Sequence, residues 1–287
     1  MGTTKYKTKY KAYFIECITN LHVGSGDTNY GLVDNLVQRD PVTNHPTINS
    51  TSLKGGLREH FEGKWGKDND KITNIFGQDN NPESNKQPKT GNYNFLGADL
   101  IALPIRSNYQ QYFLTFDDKI VENVNQKAKL LIGSEIFETG LETDKLYLKS
   151  EPNYDVFLED KKVDIFKKES SNYKIPLNSN INLPENFSKQ FAYLKHNNAK
   201  PFYKDLPTVA RNKVGNGDSD NNLWYEELVP HKSTFITYIS CDEENKVNGF
   251  EDALAKDVIQ IGANSSVGYG LCKFHKVLKE ESNENNK

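Results

Sequence analysis

The stretch LHVGSGDTNYGLVDNLVQRDPVTNHPTINSTSLKGGLR, residues 21–58, decides how this chain folds. It leads from the end of an apolar strand through a loop broken by glycines to an isolated acid, Asp34, and then to the start of a helix. Glycines such as Gly24 and Gly26 permit positive φ and leave backbone amides uncovered, as an anion-binding turn requires. The same residues also suit an ordinary turn, so the pattern alone leaves both interpretations open.

The segment after Asp34 predicts a tight turn between two short strands. Residues 40–44, DPVTN, combine Pro with Asp and Asn, which are typical turn residues. Residues 36–39 and 47–48 should therefore pair with each other. Asp34 lies between apolar residues, but a single Asp is most often a surface or capping residue and does not by itself identify a catalyst.

A helix is predicted directly after this turn. Ser50, Thr51 and Ser52 offer side-chain oxygens that can cap its first turn. Its apolar residues recur at a spacing of four, namely Leu53, Leu57 and Phe61. Lys54 and Arg58 share another face, so a helix start with open amides and two cations predicts a phosphate site. Two glycines within the first turn cost roughly 1 kcal/mol each relative to Ala, which predicts that another segment packs closely there.

Composition narrows the function classes. The chain has 287 residues, of which 36% are hydrophobic, enough to form one large domain or two small ones. Its formal net charge is −3, so binding to nucleic acid would require a local cationic patch. We interpret Cys17, Cys241 and Cys272, which lack CxxC spacing, as buried thiols in a reducing cytoplasm. No signal peptide is recognisable and no apolar run approaches the ~18 residues of a membrane span, which predicts a soluble protein without membrane contact.

The remaining chain predicts an α+β fold. Strand-like runs occur at 12–18, 98–105, 111–116, 235–241 and 270–277, and helix-like runs occur at 123–136 and 250–257. This order of strand, helix, two strands, and later strand, helix, strand is the ferredoxin-like βαββαβ order of RNA-binding sheets. We predict insertions at 62–94 and 138–200, of which the second has no assignable pattern. Residues 280–287 are predicted to form a disordered polar tail.

Two later segments also suit contacts with RNA. Strand-like runs at 208–211 and 223–228, joined by a turn-rich link, predict a long hairpin that carries Arg211 and Lys213. An ordinary sheet hairpin with Trp224 in the core is the alternative. The glycines of the second segment, Gly262, Gly268 and Gly270, let the backbone lie against a ribose-phosphate, although a glycine loop also serves as a simple turn.

Several of these motifs together resemble a known family. In this order and spacing, HVGSG, GLVD, QRD and SLKGGLR are similar to the signature of the CRISPR RAMP backbone proteins. The similarity continues through LIALPIRS (100–107), LWYEELVP (223–230) and the glycine-rich residues 262–270. Within that family the sequence most resembles the backbone subunit of the Cmr, or type III-B, effector complex. The family's usual Arg before the leucine-rich strand is replaced here by GAD, so no role is transferred to Asp99.

The resemblance implies both a fold and a function. It implies a single RAMP domain over 1–287 with a ferredoxin-like core, in which residues 206–230 form a projecting thumb that interrupts a guide-target duplex. It also implies a cytoplasmic ribonucleoprotein of antiviral defence that binds guide RNA as a filament and cleaves paired target RNA at regular intervals. The implied partners are CRISPR guide RNA, single-stranded target RNA, copies of the chain itself and other Cmr subunits.

The resemblance also assigns site residues. Asp34 stands where the family carries its catalytic Asp. The candidate RNA-binding residues are His22, Gly24, Ser25, Gly26, Ser52, Lys54, Arg58, Arg211, Lys213, Gly262, Gly268 and Gly270. An assisting role for Glu227 is left open. So is the alternative that the chain is a purely structural RNA-binding filament subunit whose Asp34 loop is inert.

The chemistry of an aspartate narrows its role in cleavage. The reference pKa of an Asp side chain is about 3.9, so at neutral pH it is a weak base. It is better suited to holding Mg²⁺ or another divalent cation, or to orienting the attacking ribose 2′-hydroxyl. Together with the resemblance, which implies the cleavage itself, this chemistry predicts a metal-dependent endoribonuclease that acts within an assembled complex. No GxGxxG, Walker, HExxH, GxSxG or CxxC motif supports a dinucleotide, NTPase, zinc or serine-hydrolase site.

Overall fold

The structure, a computed structural model, describes residues 9–26, 31–78, 87–148, 150, 152–165, 177–182, 191–213 and 222–279. The predicted tail, 280–287, and the link at the tip of the predicted hairpin, 214–221, lie outside these residues. The helices are α1 (Ser50–Trp65), α2 (Asp70–Phe76), α3 (Asp118–Ile132), α4 (His196–Lys204) and α5 (Phe250–Lys256). The strands are β1 (Lys9–Cys17), β2 (Thr47–Ile48), β3 (Gly77–Gln78), β4 (Lys89–Thr90), β5 (Asn94–Phe95), β6 (Ala98–Arg106), β7 (Tyr112–Asp117), β8 (Lys145–Tyr147), β9 (Phe157–Leu158), β10 (Lys161–Lys162), β11 (Asp164–Ile165), β12 (Phe191–Leu194), β13 (Thr208–Lys213), β14 (Asn222–Glu227), β15 (Thr234–Cys241), β16 (Val258–Gln260) and β17 (Leu271–Lys276).

One large mixed sheet organises these elements. Its main path runs β11-β8-β12-β7-β6-β15-β1-β17-β16. Four neighbours on that path, β17, β1, β15 and β6, pair antiparallel with one another. Helix α1 lies in the chain between β1 and β6, and α5 lies between β15 and β17, so the two βαβ units interleave as in a ferredoxin-like core.

The sequence predicted that residues 98–105 and 111–116 form two consecutive strands of the core, and this is wrong for the second of them. The partner of β6 inside the ferredoxin-like core is β15, whereas β7, on the other side of β6, begins an extension of the sheet. Residues 138–200, which had no assignable pattern, supply the rest of that extension as β8, β11 and β12. Strand β12 pairs parallel to β7, so two segments more than 70 residues apart meet, and no local sequence pattern reveals such a contact.

The core forms where the helices cover the sheet. The predicted stripe of α1, Leu53, Leu57 and Phe61, is fully buried. Phe61 contacts the ring of Phe250 on α5 at a centroid distance of 5.0 Å. Fully burying one such side chain contributes about 1.5–3 kcal/mol, so this contact helps hold α1 against α5. No helix in the described part of the chain is long and apolar enough to cross a membrane.

The cysteines largely match their prediction. All three are free thiols, and Cys17 and Cys272 are buried opposite each other on β1 and β17. Cys241 at the end of β15 is only half-buried. The interpretation as buried thiols therefore holds for two of the three.

The start of α1 differs from its prediction. The N-cap residue is Asn49, and no side chain caps the helix, so the predicted cap by Ser50, Thr51 or Ser52 is wrong. Ser52 Oγ accepts a hydrogen bond from Gln38 Nε2 at 2.9 Å, and Gln38 Oε1 accepts from the Asn49 amide at 2.7 Å. The long amide side chain of Gln38 therefore links the helix start to the preceding loop.

The predicted pairing of 36–39 with 47–48 is present as a backbone contact, because the Thr47 amide donates to Gln38 O at 2.9 Å, but the two segments do not form a pair of strands. Thr47–Ile48 forms β2, which pairs with β6, and residues 36–39 make only isolated bridges, one of them between Arg39 and Pro46. The predicted turn is present, because Asp40 Oδ1 accepts from the amides of Val42 and Thr43. The turn could be predicted because its residues are adjacent in the sequence, whereas the pairing of β2 with the distant strand β6 could not.

The two glycines predicted in the first turn of the helix lie in the second turn of α1 and divide into two cases. A Cβ on Gly56 would lie 2.9 Å from Gln260 O and from Ile261 Cδ1, so a neighbouring segment does approach the helix there. A Cβ on Gly55 would meet nothing within 4 Å. The predicted close approach is therefore confirmed at Gly56 alone.

Candidate functional site

Asp34 lies against the base of the β13–β14 hairpin. Its amide donates to Tyr225 O at 3.0 Å, and its Oδ2 accepts from the Tyr225 amide at 2.7 Å. The next residue, Asn35, forms a parallel bridge with Glu226. Asp34 is nevertheless exposed. The hairpin backbone therefore fixes the position of a carboxylate that still faces solvent.

The hairpin itself stands apart from the large sheet. Strands β13 and β14 form a separate two-stranded sheet in the described part of the chain. Leu223 and Tyr225 on β14 are 59% and 41% exposed. Trp224 is half-buried and donates through Nε1 to Glu226 at 2.9 Å, so it lies outside the core that the alternative interpretation required. The role of the hairpin as a thumb stays a prediction.

Glu226 joins the hairpin to the glycine-rich loop. Its carboxylate accepts from Arg211 Nε at 2.6 Å, Trp224 Nε1 at 2.9 Å and Asn264 Nδ2 at 2.9 Å. Burial opposes its ionisation, but the hydrogen bonds from Trp224 and Arg211, with the Arg211 charge, hold the pKa of Glu226 below its usual range. The Arg211 guanidinium also lies 4.7 Å from the centroid of the Tyr269 ring. The Arg211 cation therefore holds the hairpin base in place.

Glu227 is an anchor of the same hairpin base. It is 5% exposed, and its Oε2 accepts from the Val37 amide at 3.1 Å. Its other oxygen forms an ion pair with Arg39, whose Nη1 donates to Tyr203 O at 2.7 Å. The sequence left an assisting role for Glu227 open, and the structure places this carboxylate in a buried ion pair.

We expect Glu227→Gln to lower the free energy of unfolding by about 2 kcal/mol, because a hydrogen bond to a charged group contributes about 1.5–3 kcal/mol and Arg39 would face a neutral amide. Urea denaturation of the purified chain measures the change. Glu159→Gln is a matched control, since it removes an ion pair with Arg106 whose partners are 35% and 83% exposed. That exposed pair contributes less than about 1 kcal/mol, so equal losses in the two variants would contradict the anchoring role.

His22 packs inside the site rather than at its surface. It is 5% exposed, and its ring Nδ1 lies 2.8 Å from Glu227 O. Its carbonyl accepts from the Ala263 amide at 2.9 Å. A Cβ on Gly262 would lie 2.4 Å from His22 O, so only glycine permits this approach. His22 and Gly262 therefore hold the two loops together, and the predicted direct contact of His22 with RNA does not fit its burial.

The other predicted loop residues lie around this junction. Gly24 bridges Val37, and the Ser25 amide donates to Leu36 O at 2.9 Å. Ser25, Gly26 and Gly268 are exposed, and the two glycines have φ of 81°. Gly270 is buried, because a Cβ there would lie 2.0 Å from Ile261 O. Ser25, Gly26 and Gly268 therefore offer surface for a ligand, and Gly24 and Gly270 shape the loops.

The predicted cations are less available than the sequence suggested. Arg58 Nε donates to Glu62 Oε1 at 2.7 Å, which offsets the Arg58 charge. Lys54 is half-buried, and Lys213 closes β13 with a side chain outside the described part of the structure. Ser52 joins the site through Gln38, whose Nε2 also lies 3.1 Å from Gly24 O.

Three residues that position the site were not predicted. Arg39 lies within the QRD segment, and that segment was the available signal for it. Tyr225, which binds Asp34, lies within LWYEELVP, and Tyr269, which packs under Arg211, lies within the glycine-rich residues 262–270, so those segments were the available signals. These contacts join segments more than 50 residues apart, so only the fold reveals them.

The sequence is similar to known proteins over most of its length. Residues 14–273 match the RAMP superfamily. The chain is 29% identical, over 301 aligned positions, to CRISPR system Cmr endoribonuclease Cmr4 of Pyrococcus furiosus, and the match covers 95% of this chain and 97% of that protein.

Solved structures show the same fold. Type III-B Cmr-beta bound to cognate target RNA contains a chain with a TM-score of 0.71 and 22% identity, covering 94% of this chain and 98% of that one. Oligomeric Cmr4 from Pyrococcus furiosus gives a TM-score of 0.69 and 21% identity, covering 95% and 99%. At these identities the likeness supports the fold, and it agrees with the ferredoxin-like sheet order found here.

Proposed function

The chain belongs to the RAMP superfamily, and on that premise we propose that it is a repeated backbone subunit of a type III-B CRISPR effector complex. In that role it binds guide RNA along a filament of its own copies and cleaves the paired target RNA. The relative from Pyrococcus furiosus is named an endoribonuclease, and it matches this chain over almost its whole length. The observation that carries the proposal is the position of Asp34, an exposed carboxylate fixed against the β13–β14 hairpin.

We also propose that cleavage depends on a divalent cation such as Mg²⁺. Mg²⁺ is usually held by one or two carboxylates together with waters and substrate phosphates, so a single exposed carboxylate beside an RNA backbone suits it. Asp34 belongs to no group of three potential metal ligands among the described residues, which is consistent with an ion shared with the substrate. Such an ion would supply Lewis-acid stabilisation of charge on the phosphate.

The chain's own contribution is orientation. The Tyr225 amide holds Asp34 Oδ2 in place, so the carboxylate has a fixed direction before RNA binds. Leu223 and Tyr225 present an apolar and an aromatic side chain on the hairpin, which suits stacking against a displaced base. A displaced base frees the adjacent ribose, whose 2′-oxygen can then align with the phosphorus opposite the departing 5′-oxygen.

A second candidate function has one observation in its favour. Asp34 Oδ2 already accepts the Tyr225 amide, so the carboxylate has a structural task even without catalysis. On this alternative the chain is an RNA-binding backbone subunit that does not cut. The two functions share guide binding and differ in the fate of the target RNA.

Reconstitution tests the proposal directly. The full chain is assembled with guide RNA and the other complex subunits, and end-labelled complementary RNA is added with Mg²⁺ or with EDTA. We expect co-purified RNA of defined length, and cuts at regular intervals only when the divalent cation is present. Guide binding without cuts would support the structural alternative, and absence of bound RNA would overturn both.

We expect Lys54→Ala with Arg58→Ala to weaken guide RNA binding and flatten its salt dependence. Removing one cation that binds a phosphate lowers the salt slope by roughly 0.7 for single-stranded nucleic acid. Lys54→Ala alone should give most of the effect, because Arg58 is paired with Glu62. Titrations at several salt concentrations measure both quantities.

The matched control is Lys119→Ala with Lys129→Ala, which removes the same charge from exposed positions on α3. Its affinity and slope should stay near those of the unmodified chain. Equal effects in the two double variants would show that net charge, rather than the start of α1, determines binding.

A further inference from the structure

Two histidines and an aspartate from distant parts of the chain converge behind the hairpin base. His45 belongs to the turn before β2, Asp117 ends β7 and His196 starts α4. Their ligand atoms all lie within 4.8 Å of one another. In the described part of the chain no other His, Cys, Asp and Glu side chains form such a group of three.

The distances suit a metal ion with nitrogen and oxygen ligands. His196 Nδ1 lies 3.0 Å from Asp117 Oδ2, and His45 Nε2 lies 3.9 Å from the same oxygen. Around a tetrahedral zinc ion, ligand atoms about 2.0–2.2 Å from the metal stand roughly 3.3 Å from each other. The two observed separations bracket that value, so only small side-chain shifts would bring the three atoms into coordination.

Burial supplies a second, independent observation. His45 is 7% exposed, and its Nε2 is buried without a hydrogen-bond partner among the described residues. The ring of Tyr203 packs 4.7 Å from that of His45 and helps enclose it. Buried polar atoms are normally satisfied, so an unpartnered imidazole nitrogen aimed at a carboxylate indicates a missing ligand.

Hydrogen bonds from backbone amides hold two of these residues in position. Asp117 Oδ1 accepts from the Ile120 amide at 2.8 Å, which turns Oδ2 towards the histidines. The His196 amide is held by Asp118 Oδ1 at 2.8 Å. Such secondary hydrogen bonds orient ligands before a metal arrives.

An approach route exists on the side of His45. This residue lines an open cavity of about 200 Å³ together with Asp40, Asp99 and Lys127. Two carboxylates at the entrance attract cations, although Lys127 pairs with one of them, Asp99, at 2.6 Å. The cavity therefore reaches one residue of the cluster, His45, and the His196 side chain is 28% exposed.

We propose that His45 Nε2, Asp117 Oδ2 and His196 Nδ1 bind one first-row transition metal ion, with zinc the best fit, at a site separate from Asp34. Imidazole ligands favour zinc-class ions, whereas Mg²⁺ prefers oxygen, so this is not the cation proposed for cleavage. The ion would join the turn, the end of β7 and the start of α4. Arg39 donates to Asn44 O, next to His45, and to Tyr203 O, and it forms an ion pair with Glu227. The proposed metal site is therefore connected through Arg39 to the hairpin base.

The test measures metal directly on the full chain, purified without a histidine tag. After chelator treatment and dialysis, zinc is titrated by calorimetry and retained metal is counted by mass spectrometry. We expect about one zinc per chain and a higher melting temperature with zinc than with EDTA. Cobalt in place of zinc should give visible d–d absorption, which reports nitrogen and oxygen ligands in the folded protein.

Two ligand variants and one control separate this site from adventitious binding. His196→Gln and His45→Gln should each weaken zinc affinity more than about 100-fold, beyond the 10–100-fold typical of outer partners. His196 is the safer variant, because its side chain is 28% exposed. His60→Gln is the control, since His60 pairs with Asp257 at 2.9 Å outside any group of three ligands in the described residues. Zinc binding equal in all variants, or absent from the unmodified chain, would overturn the proposal.

Discussion

Asp34→Asn is expected to slow target-RNA cleavage on the order of 10³-fold, while guide RNA binding and assembly stay within about twofold. Asn keeps an oxygen that can accept the Tyr225 amide, so the loop remains docked on the hairpin. It loses the negative charge that would hold a divalent cation or orient the 2′-hydroxyl. One loop carboxylate adds little to an interface dominated by phosphate contacts, so affinity for the guide should not change. Single-turnover cleavage by the assembled complex measures the rate.

A comparison of variants separates chemistry from docking. Asp34→Ala removes both the charge and the acceptor, so it should cut as poorly as Asp34→Asn and also loosen the hairpin base. Asp252→Asn is a control, because Asp252 is 71% exposed on α5 and should leave cleavage unchanged. Cleavage at the normal rate by Asp34→Asn would remove the catalytic role and favour the structural alternative.

Replacing residues 212–223 with a short Gly-Ser link should abolish the regular pattern of cuts and leave the ferredoxin-like core folded. Strands β13 and β14 pair with each other outside the large sheet, so their outer part contributes little to the core. Keeping Arg211 and Trp224 preserves the hydrogen bonds to Glu226 at the hairpin base. Without a displaced base, a helical duplex holds the 2′-hydroxyl out of line, and we expect the rate to fall at least about 10²-fold.

The control for this change keeps the length of the hairpin. Residues 214–221 are replaced by Gly and Ser at the same number of positions, which should retain regular cuts if reach is what matters. Products are mapped on end-labelled target RNA, and circular dichroism checks the fold of each variant. Regular cuts at the normal rate from the shortened hairpin would show that it is not the thumb.

The sequence predicted those parts of the fold that depend on local periodicity and turn chemistry. The spacing of Leu53, Leu57 and Phe61 gave the buried face of α1, and Asp40 gave its turn. It could not predict the sheet extension, because β12 reaches β7 through a parallel pairing across more than 70 residues. The predicted cap of α1 was wrong for a related reason, because Gln38 from the preceding loop donates a hydrogen bond to the Ser52 hydroxyl.

The site shows the same division. The sequence singled out both glycine loops but not their contact, which the close approach of Gly262 to His22 O creates. The sequence predicted Arg211 and Arg58 as cations available to RNA, because it does not show that nearby carboxylates pair with them. Motif searches for zinc rely on short spacing, so ligands from positions 45, 117 and 196 escape them.

The bond between Asp34 and the Tyr225 amide has a mechanical consequence. It joins Asp34, the proposed catalytic residue, to the hairpin of the same subunit, so we expect the two to move together as one rigid unit. If the filament stretches or bends, the distance between successive cuts should change with the rise per subunit. The offset of each cut from its own displaced base should stay constant, because no interface between subunits lies between the two parts.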